Sequence, residues 1–222
     1  MIIVHHLNNS RSQRILWMLE ELQVPYQIEP YHRDKKTMLA PPALKMIHPL
    51  GKSPILMDND LTLAESGAII EYLQEAYDAQ GKLKPTDHFA RQQYRYWLHY
   101  AEGSLMPLLV MKLIFGRLGH PPMPWLLRPI AGAIGQGVQK NYLDKQLVTH
   151  RDYLENHLTE NRFFAGNDFS AADIQMSFPI EVMDSRAGLD GVPQIQAWLQ
   201  GVQARPAYQQ ALKQGGPYNL MG

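Results

Sequence analysis

The sequence predicts an α/β unit over residues 1–80 and an all-α half over 88–222. Two patterns carry this. A strand–helix–strand unit at the N-terminus is followed by a hairpin and a third helix, and a long helical periodicity opens at His88 after a Pro-containing linker at 81–87.

Ile2 to Leu7 is rich in β-branched residues and ends at Asn8-Asn9-Ser10, so it reads as a strand entering a loop. Ile15, Met18, Leu19 and Leu22 then recur at helical spacing. Val24-Pro25 closes that helix, because the residue before a proline is driven towards extended geometry. Tyr26 to Tyr31 reads as a second strand. Further on, Asp58-Asn59-Asp60 is a turn between Ile55-Leu56-Met57 and Leu61 to Ala64. A helix from Glu65 presents Ile69, Ile70, Leu73 and Tyr77 as its apolar stripe. The order β-α-β, an α connection, then β-β-α is that of a thioredoxin-like domain.

The second half is read as helical. A long helix spans His88 to Phe115, with Trp97, Tyr100, Leu108, Met111 and Phe115 mostly core. Residues 116–137 hold Pro121, Pro122, Pro124 and Pro129 among glycines and large apolar residues, and fit either a lid or an interrupted helix covering core. Ser170-Ala171-Ala172-Asp173 is a capping box with Phe169 and Ile174 at the staple positions. Pro179 is expected to kink that helix. Residues beyond Leu212 are expected to trail over the surface.

Composition narrows the chemistry. The 222 residues hold 21 Lys plus Arg, 21 Asp plus Glu, and no cysteine. The balance gives no reason to expect nucleic acid as a partner. The missing cysteine excludes disulfides, cysteine-ligated metal and a cysteine nucleophile. None of the nine histidines forms a convincing ligand pair, so no metal is expected. The opening Met1-Ile2-Ile3-Val4 is broken at once by His5-His6, unlike a secretory signal. The most apolar run, Leu105 to Phe115, falls short of the ~20 residues that span a bilayer. A soluble, cytoplasmic protein without a membrane partner is the expectation.

Four motifs then fall in order: Ser10-x-x-x-Arg14, Pro49-x-Gly51-Lys52-x-Pro54, Glu65-Ser66, and Asn167-Asp168-Phe169-Ser170-Ala171-Ala172-Asp173-Ile174. Together they resemble the cytosolic glutathione transferases, in the serine-type form found in bacteria and fungi. The resemblance covers nearly the whole chain. It implies the glutathione transferase fold, glutathione as co-substrate, small apolar electrophiles as second substrates, and a homodimer.

The resemblance also implies roles. Ser66 would hold the γ-glutamyl carboxylate at a helix N-terminus, which favours anions, and Glu65 would face the ammonium; Glu65 equally suits its own helix dipole. Pro54 would be cis, exposing the backbone of Ser53 to the cysteinyl part of glutathione. Lys52 would pair with the glycyl carboxylate or remain an ordinary solvated lysine. Ser10 would donate to the thiolate, with Asn9 sharing the work; helix capping is the competing role, and Ser12 competes for both. Met106, Met111 and Phe115 are candidates for the electrophile wall. Glu102 is a candidate to reach the glutathione of a neighbouring subunit. Conjugation of glutathione to apolar electrophiles is the expected reaction, against a non-enzymatic scaffold or a glutathione-dependent peroxidase or isomerase.

Overall fold

A computed structural model describes every residue except Lys36, Pro217, Met221 and Gly222. Its four strands are β1 (Ile2–Leu7), β2 (Tyr26–Tyr31), β3 (Ile55–Asp58) and β4 (Leu61–Ala64), in sheet order β2-β1-β3-β4. β1 pairs parallel with β2 and antiparallel with β3, and β3 pairs antiparallel with β4. The parallel pair needs a crossover, and α1 (Ser12–Leu22) supplies it. α2 (Leu44–Ile47) is a single turn in the connection to β3, and α3 (Ser66–Tyr77) follows β4. This is the thioredoxin-like unit the sequence predicts.

Every side chain of α1 from Ser12 to Leu19 is buried. The stripe Ile15, Met18, Leu19 accounts for one face only. The others are covered by α3, by α8 (Ala171–Ala187) and by α10 (Pro206–Gly215). Burial all round comes from the helical half folding back on the first.

In that half, α4 (His88–Tyr100) continues through a π-turn at Ala101–Leu105 into α5 (Met106–Arg117). Pro107 has no N–H to give the preceding turn, and the wider π-turn immediately precedes it. α6 (Arg128–Val138) passes through a second π-turn, Gln139–Leu143, into α7 (Asp144–Glu160), and α9 (Pro193–Gln203) lies between α8 and α10. The Ser170 box forms as predicted: Ser170 N donates to Asp173 Oδ2 at 2.9 Å, and Ala172 N to Ser170 Oγ at 3.3 Å. α8 runs on through Pro179 as one element.

Two expectations change. The described residues beyond Leu212 do not simply trail over the surface; Pro217, Met221 and Gly222 lie outside the described residues. Gly215 packs against Gln13, Leu16 and His6, and Tyr218 Oη donates to the buried Glu181 carboxylate at 2.7 Å. A buried carboxylate needs donors, and the tail supplies one. Of the two alternatives for 116–137, core cover does not hold at Trp125, Leu126, Leu127 and Ile130, which are all exposed.

Candidate active site

The C-terminal end of β1 feeds the loop Asn8 to Arg11, which turns into α1. Asn9 takes a positive φ of 51° there, a conformation asparagine tolerates better than most residues. Ser10 follows and is buried. Its Oγ accepts Ser12 N–H at 3.2 Å, lies 2.8 Å from Ser12 Oγ, and is 3.4 Å from Ser53 Oγ. Its oxygen thus satisfies the first amide of α1, although Arg11 and not Ser10 is the residue directly before the helix. Ser12 is turned inward, 2.9 Å from His6 Nδ1. Burial holds the His6 pKa below its ordinary value.

Ser53 does more than the resemblance implies. Its hydroxyl donates to the His5 carbonyl at 3.1 Å and accepts from Leu7 N at 3.3 Å. The side chain thus pins the loop before β3 onto β1, next to Ser10. The Ser53-Pro54 peptide is cis. Lys52 and Glu65 are exposed at the rim. The helix begins one residue later than predicted, at Ser66, with Glu65 as the residue before it at φ 72°. For a non-glycine residue this backbone is strained, and such strain clusters at functional sites.

Ser66 is buried at the N-terminus of α3, and its Oγ receives Arg14 Nη2 at 2.5 Å. Arg14 also donates through Nη2 to Glu102 and through Nη1 to the Gln175 carbonyl at 2.5 Å. Arg11 Nε reaches Glu102 at 3.0 Å. Burial pushes the Glu102 pKa up, but Arg14 and Arg11 outweigh it and hold it below the usual carboxylate value. Glu102 is thus engaged by two arginines of its own chain. Arg14 appeared in the sequence only as a motif anchor; nothing local marked it as the cation joining α1, α3, α5's π-turn and α8.

The tail reaches this site too. Asn219 N donates to Asn9 Oδ1 at 2.7 Å, so the Asn9 side chain is already engaged. Among the electrophile candidates, Met106 is buried in the core, while Met111 and Phe115 are half-buried. Phe115 borders a cavity of about 340 Å³ between α5 and α6, which neither methionine lines. No group of three or more His, Asp or Glu suited to a metal occurs among the described residues.

A thioredoxin-like sheet with Ser10 beyond β1 and Ser53 before β3, Ser66 at the α3 N-terminus, and a helical half packed across α1 match the arrangement that the sequence resemblance implies. The comparisons agree. The family model for the glutathione S-transferase N-terminal domain matches residues 1–75, and that for the C-terminal domain matches 109–206. Glutathione S-transferase 3 of Schizosaccharomyces pombe is 42% identical, across 93% of this chain and 85% of that protein. Glutathione S-transferase 1 of Saccharomyces cerevisiae is 34% identical, across 93% and 92%. A crystal structure of a glutathione S-transferase from Actinobacillus pleuropneumoniae superposes with a TM-score of 0.81 at 30% identity, covering 99% of this chain and 95% of that one. The chain belongs to the glutathione S-transferase family. Its activity is that of a glutathione transferase, with glutathione as a substrate.

Proposed function

We propose that the protein conjugates glutathione to small apolar electrophiles through a thiolate stabilised by the Ser10 hydroxyl. The observation that carries this is the convergence of Ser10 and Ser53, 3.4 Å apart through their hydroxyls, beside a chain segment that ends at Ser66 on the α3 N-terminus. The Ser53 backbone aligns the cysteinyl part of glutathione like an added strand. Ser66 and the α3 N-terminus take the γ-glutamyl carboxylate. Glu65 faces the ammonium, Lys52 faces the glycyl carboxylate, and Asn9 borders the thiol.

The energetics suffice without a general base. A free thiol of this type has a pKa near ~8.5, and lowering it by ~2 units takes roughly 2.7 kcal/mol. A hydrogen bond to a charged group contributes ~1.5–3 kcal/mol, and the α1 N-terminus up to ~1 kcal/mol more. The thiol proton leaves to solvent. The sulfur lone pair then forms the C–S bond while the displaced electron pair departs with the leaving group, or moves into the electrophile's π-system.

The electrophile approaches from α5, where Met111 and Phe115 offer adaptable apolar surface and Met106 backs them from the core. The division into a glutathione unit at 1–80, a linker at 81–87 and an electrophile-binding unit at 88–222 belongs to the same reading, as do a homodimer and a cytoplasmic site of action. The test is the ultraviolet thiolate absorbance of bound glutathione against pH. Ionisation below the free thiol's pKa supports an activating enzyme; binding without ionisation would make the protein a carrier or scaffold.

A further inference from the structure

We propose that the α5–α6 apex carries a peripheral membrane-docking face that seats on anionic lipid. Between Gly103 and Leu143 the chain holds Lys112, Arg117, Arg128 and Lys140 but no Asp or Glu, leaving 17 cations against 21 carboxylates elsewhere. The same stretch exposes Trp125, Leu126, Leu127, Ile130 and Ile134, from 51% for Leu127 to 72% for Trp125. Leu127, Ile130 and Ile134 share one helical face, at i, i+3 and i+7.

That face points away from the protein. α6 and the end of α5 approach through glycines: a Cβ on Gly135 of α6 would lie 2.4 Å from the Phe115 carbonyl oxygen, and one on Gly119, just past α5, 2.9 Å from that of Arg128. Arg128 Nε further fixes the turn by donating to the Met123 carbonyl at 2.9 Å. The apolar residues are therefore held outward by close backbone packing. Lys112 is paired with Asp144, while Arg117 and Lys140 are exposed at the rim of the hairpin.

Charge selects the occupant. With Lys112 neutralised by Asp144, Arg117, Arg128 and Lys140 remain, and a second copy docking by the same face would bring these cations together without an added carboxylate from the stretch itself. An anionic lipid surface complements both properties at once, since basic residues are drawn to it while Trp and aliphatic side chains enter its interface. No helix among the described residues is long and apolar enough to cross a membrane, so the contact is peripheral.

Trp17, Trp97 and Trp198 are buried, which makes Trp125 the tryptophan whose emission responds to docking. The full-length protein is floated with phosphatidylcholine vesicles with and without phosphatidylserine, and tryptophan emission is recorded. The expected result is co-flotation and a blue shift with phosphatidylserine, roughly tenfold weaker binding without it, and weakening by salt. Leu126→Asp with Ile130→Asp, and independently Trp125→Lys, lose flotation and keep glutathione turnover in solution. Equal binding to both vesicles, binding to neither, or retained flotation by folded variants would overturn the proposal. Emission already blue without lipid and moving red on dilution would assign the face to a second copy, and would overturn it equally.

Discussion

Arg14 donates to the carbonyl of Gln175, 161 positions later in the chain, and that carbonyl is the one Pro179 leaves without a helical donor. A proline removes the bond to the residue four before it. Here the vacancy in α8 is filled by a guanidinium that also holds Ser66 and Glu102. A defect in one half of the molecule becomes an anchor for Ser66, at the proposed glutathione site, in the other.

Arg14→Met should therefore harm stability and ligand binding together. Breaking a buried charge network costs ~3–5 kcal/mol, and the lower end applies because Glu102 is partly exposed. Denaturant unfolding reads the first effect and a glutathione titration the second. Wild-type affinity in a folded Arg14→Met protein would separate Ser66 from Arg14.

Ser10→Ala should lower kcat/KM by about 10- to 100-fold, the equivalent of losing a ~1.5–3 kcal/mol hydrogen bond to a charged group. The protein should stay folded with a modestly lower melting temperature, because the Ser12 amide loses its acceptor while the Ser12 and Ser53 hydroxyls keep their contacts to His6 and to β1. Ser12→Ala, whose hydroxyl faces His6, should retain thiolate absorbance. If the Ser12 variant loses the thiolate and the Ser10 variant keeps it, the two serines exchange roles.

Asp58, at the end of β3, accepts from Tyr77 and from Tyr72 at 2.9 Å and so fixes α3 on the sheet. Those hydrogen bonds, with the N-terminal ammonium, hold its pKa below the ordinary 3.8 despite the opposing effect of desolvation. A depressed folded-state pKa contributes stability above the unfolded value that is lost as pH falls through the folded one. Asp58→Asn should thus cost about 1–3 kcal/mol at neutral pH. The gap to wild type should close below pH 3.8. Unfolding curves at neutral and acid pH measure both; a gap independent of pH would rule the charge out.

Tyr218→Phe removes one of the donors to the buried Glu181 carboxylate, leaving Tyr208 at 2.5 Å and Gln203 at 3.3 Å. A loss of about 1–2 kcal/mol is expected, read as a lower melting temperature. An unchanged melting temperature would mean that the tail contributes nothing to holding α8 and α10 together.

The strands, the α3 stripe and the Ser170 capping box were legible because each is written in local spacing and local hydrogen bonding. Ser10, Ser53, Pro54 and Ser66 were legible as motifs for the same reason: each sits at a strand end or helix start whose position the pattern defines. What those residues touch was not. The Ser53 hydroxyl bonds to β1, Glu102 folds onto Arg11 and Arg14, the tail returns to Asn9 and Glu181, and Trp125 with its apolar neighbours faces outward. Each depends on contacts between segments far apart in the chain, where periodicity carries no information. The sequence by itself determined the main elements, their order and the motif residues from which the glutathione site is proposed. Only the tertiary structure decided which faces are covered, which charges are paired and which apolar side chains remain exposed, because burial and pairing arise when distant segments pack.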